Sequence, residues 1–410
     1  MASTSISIAA PKSTPTFQKA LVLPVVVGHF IHDVYTSFFA PLLPLLIEKY
    51  SLSLTQAGLL QVFMQFPAVL NPVFGFLADR GSGRYFVILA PAITGTLMSL
   101  IGFAPSYWAL ALLLFCVGVS TAAFHAPAPA IVARAAGRRL GLGMSLFMVG
   151  GESAYTVGPL LAVWVVSTWT LDGFWRVIVL GWAASLMLYW RFGRGAHAVD
   201  PLVEGFEPDK KREPYARGDF RSSLRALAPG ALTVFLPIAL LNLFSGPLLA
   251  FLSTFLPTYM TERGASLWLA GGALSIYQLA GIPGVLMSGP LSDRLGRRKV
   301  LAIATLFSAG LALLFQNLNG WLAVPVLLVL GFFALSTLPV MMAIVQENFP
   351  EQRATANGIY MMLSFLLRTV GTVLVGILGD KLGLQTALTI SALISLLAIP
   401  AIFALPGRKK

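Results

Sequence analysis

The chain has 410 residues, of which 57% are hydrophobic and 11% charged, and its mean hydropathy is +0.81. Soluble domains carry about 25% charged residues, so this composition excludes a water-soluble globular protein. The net charge of +12 calls for no nucleic-acid partner, because a basic rim against anionic lipid headgroups accounts for it.

Apolar stretches of about 20 residues, enough to cross roughly 30 Å of hydrocarbon, predict an all-α integral membrane protein with twelve transmembrane helices. The first six fall near 21–47, 56–77, 85–103, 107–132, 140–166 and 174–190. A second six follows near 231–259, 267–289, 300–315, 321–346, 355–379 and 385–405. The one long polar insert lies between the two sixes. This divides the chain into an N-terminal six-helix bundle (1–192), a cytoplasmic linker (193–228) and a C-terminal six-helix bundle (229–410). Of the 28 basic residues, 23 fall on the side that holds the N-terminus, whereas the opposite flanks hold Lys49, Arg176, Arg263 and Lys381. Loops rich in Lys and Arg stay in the cytoplasm, so both termini are expected inside. The single cysteine, Cys116, lies within an apolar span and excludes a disulfide framework.

One motif occurs twice. Gly75-Phe-Leu-Ala-Asp79-Arg80-Gly-Ser-Gly83-Arg84 closes the second span, and Gly289-Pro-Leu-Ser-Asp293-Arg294-Leu-Gly296-Arg297 closes the eighth, with the aspartates 214 residues apart. Pro24, His29 and Pro44 match Pro237, Asn242 and Pro257 at an offset of 213, and Arg139 and Arg353 again stand 214 apart. The chain therefore reads as two copies of one membrane unit. Each aspartate ends its span where a carboxylate can meet the positive N-terminal end of a helix in the other half. Arg80, Arg84, Arg294 and Arg297 can pair with that carboxylate or with headgroups, and Gly83 and Gly296 permit a tight turn.

Twelve spans in two sixes, a long central loop and both Gly-x-x-x-Asp-Arg loops resemble the major facilitator superfamily. Within it, Gly28-His-Phe-Ile-His-Asp33, Phe124-His125, Ser145-Leu-Phe-Met-Val-Gly150-Gly151 and Gly158-Pro159-Leu-Leu161 are similar to the fosmidomycin-resistance group of proton-driven exporters. That group is expected to carry Asn where this chain has Glu152 and Pro where it has Ala126. The resemblance implies two pseudo-symmetric bundles that rock about a midplane site. It also implies a gate formed by Gly75, Asp79, Arg80, Arg84, Gly289, Asp293, Arg294 and Arg297, and a monomer in the bacterial cytoplasmic (inner) membrane.

Charges buried in the spans mark the site, because an ionised side chain at bilayer depth costs several kcal/mol and is normally retained for function. Asp33 and Glu152 are the acidic residues well inside spans, and Arg368 sits at nearly the same depth in the eleventh. His29 and Asp33 are i and i+4, and His32 adjoins Asp33, so imidazoles flank the carboxylate in a titratable cluster. Proton coupling is therefore assigned to Asp33, Glu152, His29 and His32. Substrate binding is assigned to Arg368, whose fork fits phosphonate, phosphate or carboxylate, with Glu152, Asn242, Gln65, Tyr155 and His125. No Gly-x-x-x-x-Gly-Lys-Ser/Thr loop and no metal-ligand spacing occurs. Neither an enzyme, nor a metal, nor a cofactor is expected; the proton gradient supplies the energy. The expected partners are a small-molecule substrate, protons and membrane lipid. The expected function is secondary active transport, as a proton-coupled antiporter exporting a small anionic or amphiphilic, fosmidomycin-like drug; the alternative is a proton-coupled importer of a small organic anion or metabolite.

Overall fold

The structure, a computed structural model, describes residues 17–71, 73–74, 83–136, 139–193, 227–318, 320–349 and 353–406. The first copy of the loop motif, including Gly75, Asp79 and Arg80, and the linker core 194–226 lie outside the described residues. Among the described residues, eleven helices are long and apolar enough to cross a membrane, and one shorter apolar helix joins them. They are α1 (Lys19–Tyr50), α2 (Leu54–Leu70), α3 (Gly83–Phe103), α4 (Tyr107–His125), α5 (Leu142–Trp169) and α6 (Asp172–Phe192), then α7 (Leu232–Glu262), α8 (Leu267–Leu295), α9 (Arg297–Phe315), α10 (Ala323–Asn348), α11 (Gly358–Leu382) and α12 (Leu384–Ala404).

Local sequence explains where these helices begin and break. Ser53, Ser106 and Ser266 cap α2, α4 and α8 with their hydroxyls, and at Ser53 the Gln56 side chain returns the bond to complete a capping box. The expected second span, 56–77, changes character at Phe66–Leu70, where it tightens to a 3-10 helix at Pro67, which has no N–H to donate, before helix resumes at Asn71. The expected fourth span, 107–132, breaks after His125 at the Ala126-Pro127 turn and resumes as Ala128–Ala136 for the same reason. Gly296 turns the chain between α8 and α9 at φ +98°, a left-handed conformation that favours glycine.

Helices α1–α6 pack with one another, as do α7–α12, and the two sixes meet mainly through α5 against α8 and α2 against α11. This pairing is the one a pseudo-twofold axis requires. The apolar core is divided by depth. At the end opposite the termini, one continuous cluster joins both halves, running from Phe38, Leu42 and Leu60 to Phe251, Phe255 and Val375. Near the termini the core splits in two: one cluster around Val25, Ile88 and Phe124 belongs to the first six helices, and another around Ile238, Val340 and Ile402 to the second. Among the described residues the halves thus share an apolar core at the far end and hold separate ones at the end that carries the termini.

A carboxylate reinforces the far-end seal. Asp380, at the end of α11, accepts hydrogen bonds from the backbone N–H groups of Leu54 at 2.6 Å and Thr55 at 2.9 Å, and from the Thr55 hydroxyl. These are orphan donors of the first turn of α2, where a negative charge also meets the helix dipole. Gly376, one turn earlier, lets the backbones meet: a Cβ there would lie 2.6 Å from Leu54 O.

Candidate functional site

The helical period of α1 puts His29, His32 and Asp33 on its buried side; each is at most 4% exposed. What they meet is set by α5, which approaches through Gly150 and Gly151. A Cβ at Gly151 would lie 2.7 Å from His29 Cε1 and 3.2 Å from Asp33 Oδ2, so only glycine leaves room for the cluster.

Asp33 is surrounded by three imidazoles. His29 Nε2 lies 3.1 Å from Oδ2, His32 Nδ1 2.9 Å from Oδ1, and His125 Nε2 3.5 Å from Oδ1. Each ring is held from behind. His29 Nδ1 donates to Phe147 O at 2.9 Å, His125 Nδ1 donates to Thr121 O at 3.1 Å, and His32 Nε2 lies 3.1 Å from Thr94 Oγ1. Phe147 stacks on His29 at 3.9 Å between centroids, and Phe124 stacks on His32 at 4.7 Å. His125 comes from α4, at the last residue before its break, and its side chain keeps 33% of its exposure. Sequence reasoning placed His125 with the substrate ligands; the structure places it with the Asp33 cluster.

Glu152 and Arg368 face the same region from opposite halves. Each is partly buried. Among the described residues neither side chain makes an ion pair or hydrogen bond, yet the Arg368 guanidinium is close enough to act electrostatically on Glu152, Tyr155, Tyr277 and Tyr360. Glu152 also feels the charge of Asp33. Tyr155 OH lies 3.2 Å from Thr36 Oγ1, which joins the α5 wall to α1.

Of the other expected ligands, Gln65 keeps a buried Oε1 without a hydrogen-bond partner among the described residues, a group that a bound molecule could satisfy. Asn242 turns inward instead: its amide donates to Ile238 O at 3.0 Å on its own helix and approaches Met341 Sδ. Sequence reasoning passed over Tyr277, whose hydroxyl is likewise buried and unpartnered among the described residues, and Thr94. Their spacing to the other polar residues of their spans carries no signal of its own.

In the second loop motif, Asp293 pairs with Arg297 at 2.6 Å, and Arg297 also reaches Glu347 at 2.7 Å and Gly289 O at 3.3 Å. Arg294 is exposed. Arg84, from the first motif, donates to Tyr85 OH at 3.1 Å.

Known proteins agree with this architecture. The family model described as Major Facilitator Superfamily matches residues 25–304 and 238–410. Among curated proteins, the chain is 27% identical to the uncharacterized MFS-type transporter YfnC of Bacillus subtilis, covering 99% of this chain and 98% of that one. It is 24% identical to the fosmidomycin resistance protein of Escherichia coli, covering 93% and 92%. Among solved structures, a bacterial homologue of the human lysosomal transporter Spinster, in an inward-facing and unoccupied conformation, superposes with a TM-score of 0.78 at 15% identity over 96% of this chain and 97% of that one. By its twelve helices, its two matched halves and the family model that spans both, the chain belongs to the major facilitator superfamily of membrane transporters, which are not enzymes.

Proposed function

We propose that this transporter is a proton-coupled antiporter that exports a small anionic or amphiphilic compound by alternating access, from a bacterial inner membrane in which both termini are cytoplasmic. The observation that carries the reading is the pair Glu152 and Arg368. Among the described residues these two opposite charges, each in the middle of an apolar spanning helix and within electrostatic reach of the other, make no ion pair, although unpaired charge in a span is costly and normally functional. Of the groups expected to carry the proton, Glu152 has the carboxylate most free to exchange it, while the Asp33 cluster sets the charge background. The parting of the two cores near the termini supports an inward-facing state in which this pair is open to the cytoplasm.

The sign of the coupling follows from what the substrate must offer. An anionic head fits the Arg368 fork. If the same molecule also carries a hydrogen-bond donor that reaches Glu152, it binds more tightly when that carboxylate is ionised, because a bond to the charged form is the stronger one, so proton and substrate compete and are exchanged. A phosphonate with a hydroxamate hydroxyl has both groups, in keeping with the fosmidomycin-resistance relative. A simple anion without a donor would instead bind best beside a protonated Glu152 and travel with the proton, which is the importer alternative.

The test is transport by the purified protein in liposomes under an imposed pH gradient. Fosmidomycin is expected to move against the proton flow in wild type. Arg368→Ala, losing a charge-assisted contact of about 1.5–3 kcal/mol, is expected to weaken apparent substrate affinity by about 10–100-fold. Movement in the same direction as protons would favour the importer, and an Arg368→Ala protein of wild-type affinity would remove Arg368 from the site.

A further inference from the structure

Three hydrogen-bond acceptors converge on one point between α1 and α4. A carbonyl oxygen can only accept, so His29 Nδ1 and His125 Nδ1 carry the protons that bond Phe147 O and Thr121 O. Each neutral ring is then left with its lone pair on Nε2, and these two nitrogens face one another at 3.3 Å. The Asp33 carboxylate completes the set, with Oδ2 at 3.1 Å from His29 Nε2 and Oδ1 at 3.5 Å from His125 Nε2. Lone pairs so placed repel unless positive charge lies among them.

We propose that this point is a binding site for a divalent transition-metal ion of the zinc class, with His29 Nε2, His125 Nε2 and the Asp33 carboxylate as ligands. Zinc sites are tetrahedral with Zn–N and Zn–O bonds of about 2.0–2.2 Å, which places neighbouring ligand atoms about 3.3–3.5 Å apart. Two separations here, His29 Nε2 to His125 Nε2 at 3.3 Å and His125 Nε2 to Asp33 Oδ1 at 3.5 Å, match those edges, and His29 Nε2 meets the other carboxylate oxygen, Oδ2, at 3.1 Å, so the carboxylate spans the site with both oxygens. Two imidazoles favour zinc and its neighbours over magnesium or calcium, which prefer all-oxygen sites.

The surroundings fit as well as the ligands. In metal sites the second ring nitrogen of a ligating histidine is held by a carbonyl or carboxylate, which fixes the tautomer and aims the lone pair. Both histidines have that support. His32, at 2.9 Å from Asp33 Oδ1 and backed by Thr94, plays the same part for the carboxylate. His29 and Asp33 are closed off from solvent, whereas His125 retains a third of its exposure, which provides an entry path and leaves the fourth position for water or another ligand. The ligands come from two helices, so a bound ion would tie α1 to α4 beside the break after His125. The site uses neither Glu152 nor Arg368 and goes beyond the export reading; it stands or falls on binding alone.

Zinc binding by the full-length protein, purified in detergent and stripped with a chelator, is measured by competition with a chromogenic zinc indicator. The visible absorption of bound Co2+ reports the coordination geometry. Wild type is expected to take one ion per chain with tetrahedral Co2+ bands. His29→Gln and His125→Gln are each expected to lose more affinity than the about 10–100-fold typical of outer-shell losses, and His32→Gln to fall within that range. Asp380→Asn, at the far end of the molecule, should bind as wild type does. Size-exclusion profiles and metal-free melting curves establish that each variant is folded. Wild-type binding no tighter than that of His29→Gln and His125→Gln would overturn the site and leave shared protons as the charge among the three acceptors. Stoichiometric binding that survives in both variants would overturn it equally, by placing the ion elsewhere.

Discussion

Gly151 decides whether Asp33 can have its neighbours. A methyl group there would press on His29 Cε1 and on the Asp33 carboxylate, both held by rigid partners on α1 and α5. Overpacking of this kind costs about 1–3 kcal/mol, so Gly151→Ala is expected to lower the melting temperature in detergent. Gly272→Ala, where nothing lies within 4 Å of the added Cβ, is expected to leave it unchanged. At this scale the sequence was informative about charge and depth: His29, His32 and Asp33 announce themselves by helical spacing on one span. The partners contributed by other spans were not legible. Which face α4 turns toward α1, and hence that His125 and not another residue meets Asp33, depends on helix rotation that no local pattern records. Asn242 shows the same limit, since its register matches His29 but its amide is satisfied by its own helix.

Helix α11 holds α2 through Asp380. Three hydrogen bonds to the first turn of α2 join the halves only where the far end is closed. The carboxylate is partly open to solvent, so its worth is discounted to ~1 kcal/mol, about a five-fold change in the balance between states. Asp380→Asn is expected to shift that balance toward opening of the far end, read as a longer distance between spin labels at the α2 and α11 termini. An unchanged distance distribution would show that the apolar packing around Gly376 holds the seal alone. The twelve spans were legible because each needs about 20 apolar residues to satisfy its backbone inside hydrocarbon. Their breaks were less so: Pro67 tightens a turn of α2 and Pro127 interrupts the helix after α4, and a proline inside a hydrophobic window does not lower its hydropathy enough to be noticed. Asp380 carries no repeated motif, unlike Asp293, and was overlooked for that reason.

The whole molecule is two matched bundles around a charged midplane, and the repeated loop motif made that symmetry visible before any coordinates. The conformation was not visible, because the same apolar faces serve both the sealed and the parted state; only the division of the core into one shared and two separate clusters distinguishes them. The central claim is that substrate and proton compete at Glu152. It is tested most directly by adding fosmidomycin to the purified protein in weakly buffered detergent solution and following the pH with an indicator dye. Wild type is expected to release protons on binding, and Glu152→Gln to bind without release. Proton uptake by wild type, or a release that persists in Glu152→Gln, would contradict exchange at this carboxylate.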